Sequence, residues 1–282
     1  LNRIKRYAYA KINLSLDVLK RRSDGYHEVE MIMQQVDLHD ILTFEEMESG
    51  IEIICNDKRV PTDESNLIYK AYKIIKEKYS IDKGVRIYLE KNIPIAAGLA
   101  GGSSDAAQTL IGISKLWDLQ INDIELMEMG VSIGADIPFC IFGGTGFARG
   151  IGEDISEITS FKNNIIVLAK PDIDVSTKQV YENLNFRIVD HPDTDSLLKA
   201  IERKDIKFIA DNMKNVLETV TIKKHPIIDN IKKQMIDCGA MGSMMSGSGP
   251  TVFGIFETKE QAEKCKNILK ENIDEVYVTE TI

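Results

Sequence analysis

Residues 8–18 alternate without a break: Ala8, Ala10, Ile12, Leu14, Leu16 and Val18 are apolar, with Tyr9, Lys11, Asn13, Ser15 and Asp17 between them. A period of two marks a strand with one buried face. It puts Lys11 and Asn13 on the same, outward side, bounded by Tyr7-Ala8 and by the turn residues Arg21-Arg22-Ser23-Asp24-Gly25. Stretches 51–55 and 85–89 predict further strands, with a helix over 66–79 between them. Across 103–117, Ala106, Leu110, Ile113 and Trp117 share one helical face. A short helix runs from the capping residue Asn122 to Gly130, and Asp136 before Pro138 marks another helix start. In the second half, 165–169 predicts a short buried strand, and 195–220 and 226–237 predict helices. Strands over 240–245 and 251–256, a helix over 259–272 and a strand over 275–279 close the chain. Strands and helices mixed without strict alternation favour an α+β fold over a doubly wound sheet. Regular patterning breaks around 150–164, so the expected domains are 1–157 and 158–282.

Composition narrows the class of molecule. A chain of 282 residues, 43% hydrophobic and 28% charged, is long enough to bury a core in one large or two ordinary domains. No apolar run reaches the ~18 residues of a membrane span. The start, Leu1-Asn2-Arg3-Ile4-Lys5-Arg6, is basic without an apolar stretch of signal-peptide length. With 35 basic against 44 acidic residues, the net charge of −9 speaks against nucleic acid as the main partner. It leaves room for a local basic pocket taking a small phosphorylated ligand. Cys55, Cys140, Cys238 and Cys265 lack the spacing of a zinc site or a disulfide framework and read as reduced, buried thiols of a cytoplasmic protein. His27, His39, His191 and His225 also lack metal-ligand spacing.

The strongest chemical signal is Pro94-Ile95-Ala96-Ala97-Gly98-Leu99-Ala100-Gly101-Gly102-Ser103-Ser104-Asp105, a glycine-rich loop running into an amphipathic helix. Glycines let main-chain N–H groups approach a phosphate, and the helix N-terminus adds donors and partial positive charge. It lacks the lysine of a Walker A loop and the glycine spacing of a dinucleotide fingerprint. A second cluster, Ser246-Gly247-Ser248-Gly249-Pro250-Thr251, joins two predicted strands and taken alone is equally a hairpin loop; a third, Gly143-Gly144-Thr145-Gly146, is weaker. Alone, Lys11 reads as a solvated lysine and Asp136 as a helix cap or first-turn acid.

Taken in order, Ala10-Lys11-Ile12-Asn13-Leu14, Gly25-Tyr26-His27-Glu28, the 94–107 loop, Gly134-Ala135-Asp136-Ile137-Pro138 and the Ser246–Thr251 cluster resemble the GHMP small-molecule kinases over nearly the whole chain. The resemblance implies two domains, the first like ribosomal protein S5 domain 2 and the second ferredoxin-like. It implies ATP-dependent phosphorylation of a sugar-alcohol hydroxyl on a cytidine diphosphate conjugate used in non-mevalonate isoprenoid synthesis. The alternatives are a homoserine- or mevalonate-type kinase of the same family, or a non-catalytic nucleotide-binding module. By the resemblance, Lys11 and Asp136 are the catalytic pair. Pro94, Ile95, Ala96, Ala97, Gly98, Leu99, Ala100, Gly101, Gly102, Ser103 and Ser104 hold the ATP phosphates, with Asn66 and Lys91 on the nucleotide side. Asn13, Tyr26, His27 and Tyr181 contact the cytidyl substrate, and Mg²⁺ accompanies ATP, with Ser104 able to touch it and no ligand set identified. Ala100 stands where many relatives carry glycine, which is tolerated at negative φ and costs stability otherwise.

Overall fold

The computed structural model describes residues 3–282; Leu1 and Asn2, part of the basic start, lie outside the described residues. The chain begins with β1 (Arg3–Arg21), β2 (His27–Met47), β3 (Ile51–Cys55), α1 (Leu67–Lys78), β4 (Gly84–Glu90) and α2 (Gly101–Leu116). Next come α3 (Asp123–Val131), α4 (Ile137–Phe142), β5 (Thr145–Arg149), β6 (Asp154–Glu157), β7 (Ile165–Lys170) and α5 (Thr177–Asn183). Then α6 (Thr194–Arg203), α7 (Ile206–Asn212), β8 (Lys214–Asn215), α8 (Glu218–Lys224) and α9 (Ile227–Asp237) lead to β9 (Gly242–Met245), β10 (Val252–Phe256), α10 (Lys259–Leu269) and β11 (Glu275–Glu280). Two compact units divide the chain. One takes residues up to Ala10, Leu38–Ile95 and Ala100–Gly143; the other takes Lys11–Asp37, Ala96–Leu99 and Gly144–Ile282.

In the first unit, β3 pairs parallel with β4 and β4 antiparallel with β2, with Phe44 opposite Ile87. The helix α2 packs beside α1, α3 and α4. Its predicted stripe of Ala106, Leu110, Ile113 and Trp117 joins Phe44, Ile68 and Ile75 in one buried cluster. Burial of each large apolar side chain contributes roughly 1.5–3 kcal/mol. At Gly112 the helix comes so close to β2 that an added Cβ would lie 2.6 Å from the Phe44 ring.

The second unit holds an antiparallel sheet in the order β11-β7-β10-β9, with α9 packed on β9 and β10, and α10 on β7 and β11. The chain order β7, α9, β9, β10, α10, β11 is the βαββαβ arrangement of a ferredoxin-like fold. The same unit carries the rest of β1 and β2, with β8 parallel to β1 at Ser15–Leu16 and the β5–β6 hairpin beside residues 31–34. No helix among the described residues is long and apolar enough to cross a membrane.

Several sequence expectations need correction. The first strand does not start at Tyr7-Ala8 but runs from Arg3 to Arg21. Its polar face is not solvated: Lys11, Asn13, Ser15 and Asp17 are all buried. The reason is long-range cover, since Gly247 donates to Asn13 and His191 Nδ1 lies 2.6 Å from Asp17 Oδ1. The helix expected over 195–220 is three helices and a two-residue strand. Lys204 turns left-handed at φ 57°, and the Asp205 side chain caps a new helix by accepting from Phe208 N–H. The helix α3 continues through Gly130 to Val131. Ala100 has φ 56° and so incurs the left-handed cost, about 1–2 kcal/mol. Of the cysteines, Cys140 and Cys265 are buried, whereas Cys55 and Cys238 are only partly covered. Cys265 lies against Cys238, and burial, reinforced by that neighbour, pushes its thiol up to about 12.

Candidate functional site

The second unit carries two interlocking glycine loops and one strand. Ser246 Oγ donates to the Gly98 carbonyl at 3.0 Å, and Thr251 N–H to that of Ala97 at 3.3 Å. Gly98 sits at φ 74°, where a Cβ would lie 2.5 Å from the Ser246 carbonyl oxygen and 2.9 Å from that of Gly249. The loops therefore interlock through main chain at a spacing that only glycine allows. On β1, Lys11 N–H donates to the Leu99 carbonyl at 3.0 Å, and its Nζ donates to Asn13 Oδ1 at 2.8 Å. The same Asn13 oxygen accepts from Gly247 N–H at 3.1 Å, while Asn13 Nδ2 faces Met31 Sδ at 3.4 Å. Asn13 thus ties the Lys11 ammonium to the second glycine loop. Asn215 braces that loop by donating to the carbonyls of Met245 and Gly247, and Glu218 accepts from Met245 N–H. The second cluster is therefore part of the Lys11 scaffold as well as the link between β9 and β10.

The same unit presents an aromatic group. The turn after β1 closes by Arg22 N–H donating to the Tyr26 carbonyl at 2.8 Å and leaves Tyr26 58% exposed. The His27 ring lies 5.1 Å from the ring of Tyr181 on α5, tilted by 38°. Burial, with the Arg21 charge as a smaller cause, holds the His27 pKa below its ordinary value. At neutral pH the ring is uncharged and offers one donor and one acceptor. The structure thus brings His27 and Tyr181 together. A separate cavity of 730 Å³ lies on another face of α5, lined by Ser176, Gln179, Val180 and Lys224 among others, and contains none of the expected site residues.

The first unit supplies a helix start. The N-cap position of α2 is Ala100, so no side chain caps its first turn. Gly102 is open, since a Cβ there would meet only Leu67 Cδ1 at 3.8 Å. Main-chain donors flanked by glycine at a helix N-terminus fit an incoming phosphate. Ser104 is wholly buried and its hydroxyl donates to the Tyr9 carbonyl at 2.8 Å, which fixes the helix start from beneath. Asn66 caps α1, accepting from Ile68 N–H and donating to the Pro61 carbonyl. Lys91 is buried between Asp40 and Asp105, donating to Asp105 Oδ2 at 2.8 Å and also to Asp40 Oδ2. Asp136 precedes α4, and its carbonyl accepts from Cys140 N–H at 3.1 Å. Asp136 holds the N-cap position of α4, as the helix-start reading expected, although its side chain makes no capping bond there. No group of three or more His, Cys, Asp or Glu side chains could hold a metal by itself among the described residues.

Sequence reasoning missed Asp40, Asp105, Asn215 and Glu218. Each acts through a partner distant in the chain, and no local pattern marks such a pairing.

Two family models match: the GHMP kinases N terminal domain over residues 66–144, and the GHMP kinases C terminal over residues 197–275. The chain belongs to the GHMP kinases. It is 51% identical over 276 residues to the 4-diphosphocytidyl-2-C-methyl-D-erythritol kinase of Clostridium novyi (strain NT), covering 98% of this chain and 99% of that one. The enzyme of the same name from Clostridium botulinum (strain Alaska E43 / Type E3) is 50% identical over the same shares. A crystal structure of 4-(cytidine 5'-diphospho)-2C-methyl-D-erythritol kinase superposes with a TM-score of 0.85 at 31% identity, covering 99% of both chains. A homoserine kinase from Cytophaga hutchinsonii has a TM-score of 0.79 at 23% identity, covering 99% of this chain and 95% of that one, a likeness of fold.

Proposed function

We propose that the protein transfers the γ-phosphoryl group of ATP to a hydroxyl of 4-diphosphocytidyl-2-C-methyl-D-erythritol, as a cytoplasmic enzyme of isoprenoid precursor synthesis. The observation that carries this reading is the 51% identity, along 98% of the chain, to a kinase of that name. The interlocked glycine loops and the fixed Lys11 support it.

In this reading the uncapped start of α2, with the 94–104 loop, takes the triphosphate through main-chain N–H groups, and Asn66 and Lys91 belong to the nucleotide side. The substrate hydroxyl is placed by Lys11 and Asp136. Asp136 accepts the hydroxyl proton, and the Lys11 ammonium, held by Asn13, steadies that carboxylate and offsets charge on the transferring group. Phosphoryl transfer through a loose transition state asks more of positioning and charge stabilisation than of base strength. Tyr26, His27 and Tyr181 take the cytosine, the rings by stacking and His27 by one donor and one acceptor. Asn13 serves that side by fixing Lys11. Mg²⁺ would be held by the phosphates of the nucleotide with one or two carboxylates, and would supply neutralisation of phosphate charge. Residues 1–157 form the nucleotide part and 158–282 complete the substrate part.

The test is direct. Purified protein is incubated with ATP and the cytidyl substrate, or with homoserine or mevalonate, and ADP and phosphorylated product are followed. Turnover of the cytidyl substrate alone is expected; turnover of homoserine or mevalonate in its place would overturn the reading, and no turnover of any would favour a silent nucleotide binder.

A further inference from the structure

The helix α5, which carries Tyr181, is short and thinly packed. It has seven residues, of which only Val180 is buried, and the 730 Å³ cavity lies along it, lined in part by Val180, Val189 and Val220. A helix of that length has little stability of its own, and a cavity beside it forfeits contacts. Polar tethers at its two ends therefore do much to set its position. At its start, the Thr177 and Ser248 hydroxyls share a hydrogen bond of 2.8 Å, which ties it to the second glycine loop. Past its end, the chain turns and reaches Asp190 and His191. Asp190 Oδ2 accepts from Lys214 Nζ at 2.5 Å, but that carboxylate is 89% exposed, and such a pair contributes little. His191 reaches inward instead. Its Nδ1 lies 2.6 Å from Oδ1 of Asp17, a carboxylate only 6% exposed. An ionised carboxylate can only accept, so Nδ1–H donates. Pro192 follows and restricts the backbone of His191, which stiffens the mount of the ring. Asp17 belongs to β1, and β1 pairs with β2, which opens with His27. The hydrogen bond thus joins α5 to the same hairpin that presents His27 to Tyr181.

We propose that Asp17 and His191 are positioning residues for the cytidyl substrate: their hydrogen bond latches the chain after α5 to the β1–β2 hairpin and so keeps Tyr181 beside His27. This rests on the reading of Tyr181 as a contact of the cytosine. With the latch open, α5 keeps its tether to Ser248 and swings on it, and Tyr181 spends part of its time away from His27. Affinity falls by the fraction of molecules that remain competent to bind. Lys11 is held by Leu99 and Asn13, which the latch does not touch. The loss therefore appears in KM for the cytidyl substrate and not in kcat.

Steady-state turnover of the full chain is measured with ATP and the cytidyl substrate. His191→Ala and Asp17→Asn are each expected to raise KM for the cytidyl substrate about 5–10-fold, the effect of one hydrogen bond, with kcat and KM for ATP unchanged. His191→Asn, whose amide N–H stands where Nδ1–H stood, should return KM toward wild type. Added to Tyr181→Ala, His191→Ala should change KM no further, because both act through one ring. A wild-type KM in His191→Ala, a loss of kcat with no change in KM, no rescue by His191→Asn, or a full additive effect on top of Tyr181→Ala would each overturn the latch. Should Asp17→Asn fail to fold, the His191 variants decide, since they change the half-exposed partner and leave Asp17 accepting from Val18 N–H at 2.7 Å. A wild-type KM in Tyr181→Ala by itself would instead overturn the reading of Tyr181 as a contact of the base.

Discussion

Replacing Gly98 by alanine tests the interlock of the two glycine loops. The new Cβ would stand 2.5 Å from the Ser246 carbonyl oxygen and 2.9 Å from that of Gly249, both main-chain atoms that no side-chain rotation can move. The backbone at φ 74° adds a left-handed cost of about 1–2 kcal/mol for any residue with a Cβ. Overpacking adds about 1–3 kcal/mol, and the Ser246–Gly98 hydrogen bond, if broken, about 1 kcal/mol. A loss of roughly 3–6 kcal/mol corresponds, for a chain of this size, to a fall in melting temperature on the order of 10 °C. The loops would relieve the clash by separating, and Lys11 would move because Leu99 and Asn13 hold it to both; a misplacement of about 1 Å costs on the order of 100-fold in kcat. Gly102→Ala is the control, since its Cβ meets only Leu67 at 3.8 Å. In a helix this exchange gains up to about 1 kcal/mol, so its melting temperature should hold or rise while its KM for ATP increases through poorer approach to phosphate. Melting is followed by circular dichroism and turnover by ADP release. Gly98→Ala with a wild-type melting temperature and wild-type kcat would refute the interlock.

Three further outcomes are expected. Asp136→Asn lowers kcat by about 10²–10⁴-fold while AMP-PNP still binds, and near-normal turnover would remove this carboxylate from the chemistry. His27→Ala raises KM for the cytidyl substrate about 10–100-fold and leaves KM for ATP unchanged; because the His27 pKa lies below its ordinary value, wild-type KM should stay flat from pH 7 to 8.5 and rise only as acid protonates the ring. Equal loss for both ligands, or a rise in KM already at pH 7.5, would point to a structural histidine. Asn13→Ala strips Lys11 Nζ and Gly247 N–H of a shared buried acceptor. It should lower kcat at least 10-fold with little change in KM for the cytidyl substrate; a change confined to KM would make Asn13 a substrate contact instead of a support for Lys11.

What was legible in the sequence was local. Period-two alternation around Ile12 and the stripe from Ala106 to Trp117 each report one buried face, and both faces are buried as read. The start of α2 was legible to within a turn, expected at Ser103 and found at Gly101, because proline, glycines and an amphipathic run are neighbours in the chain. The burial of Lys11 was not legible, because alternation says which side of a strand is apolar and cannot say that a loop carrying Gly247 covers the other side. The same limit hid the acceptor for Lys91: Asp40 and Asp105 look like ordinary strand and helix acids until the fold surrounds them. For both lysines the cover comes from far along the chain: Gly247 reaches the Asn13 that holds Lys11, and Asp40 lies 51 residues from Lys91. An unpaired polar group in the interior costs about 1–3 kcal/mol, so the chain satisfies Lys11 through Asn13 and Lys91 through two carboxylates. Those pairings fix the groups proposed to meet nucleotide and substrate, and it follows that the hardest part of the site to read in the sequence is also what makes its geometry rigid.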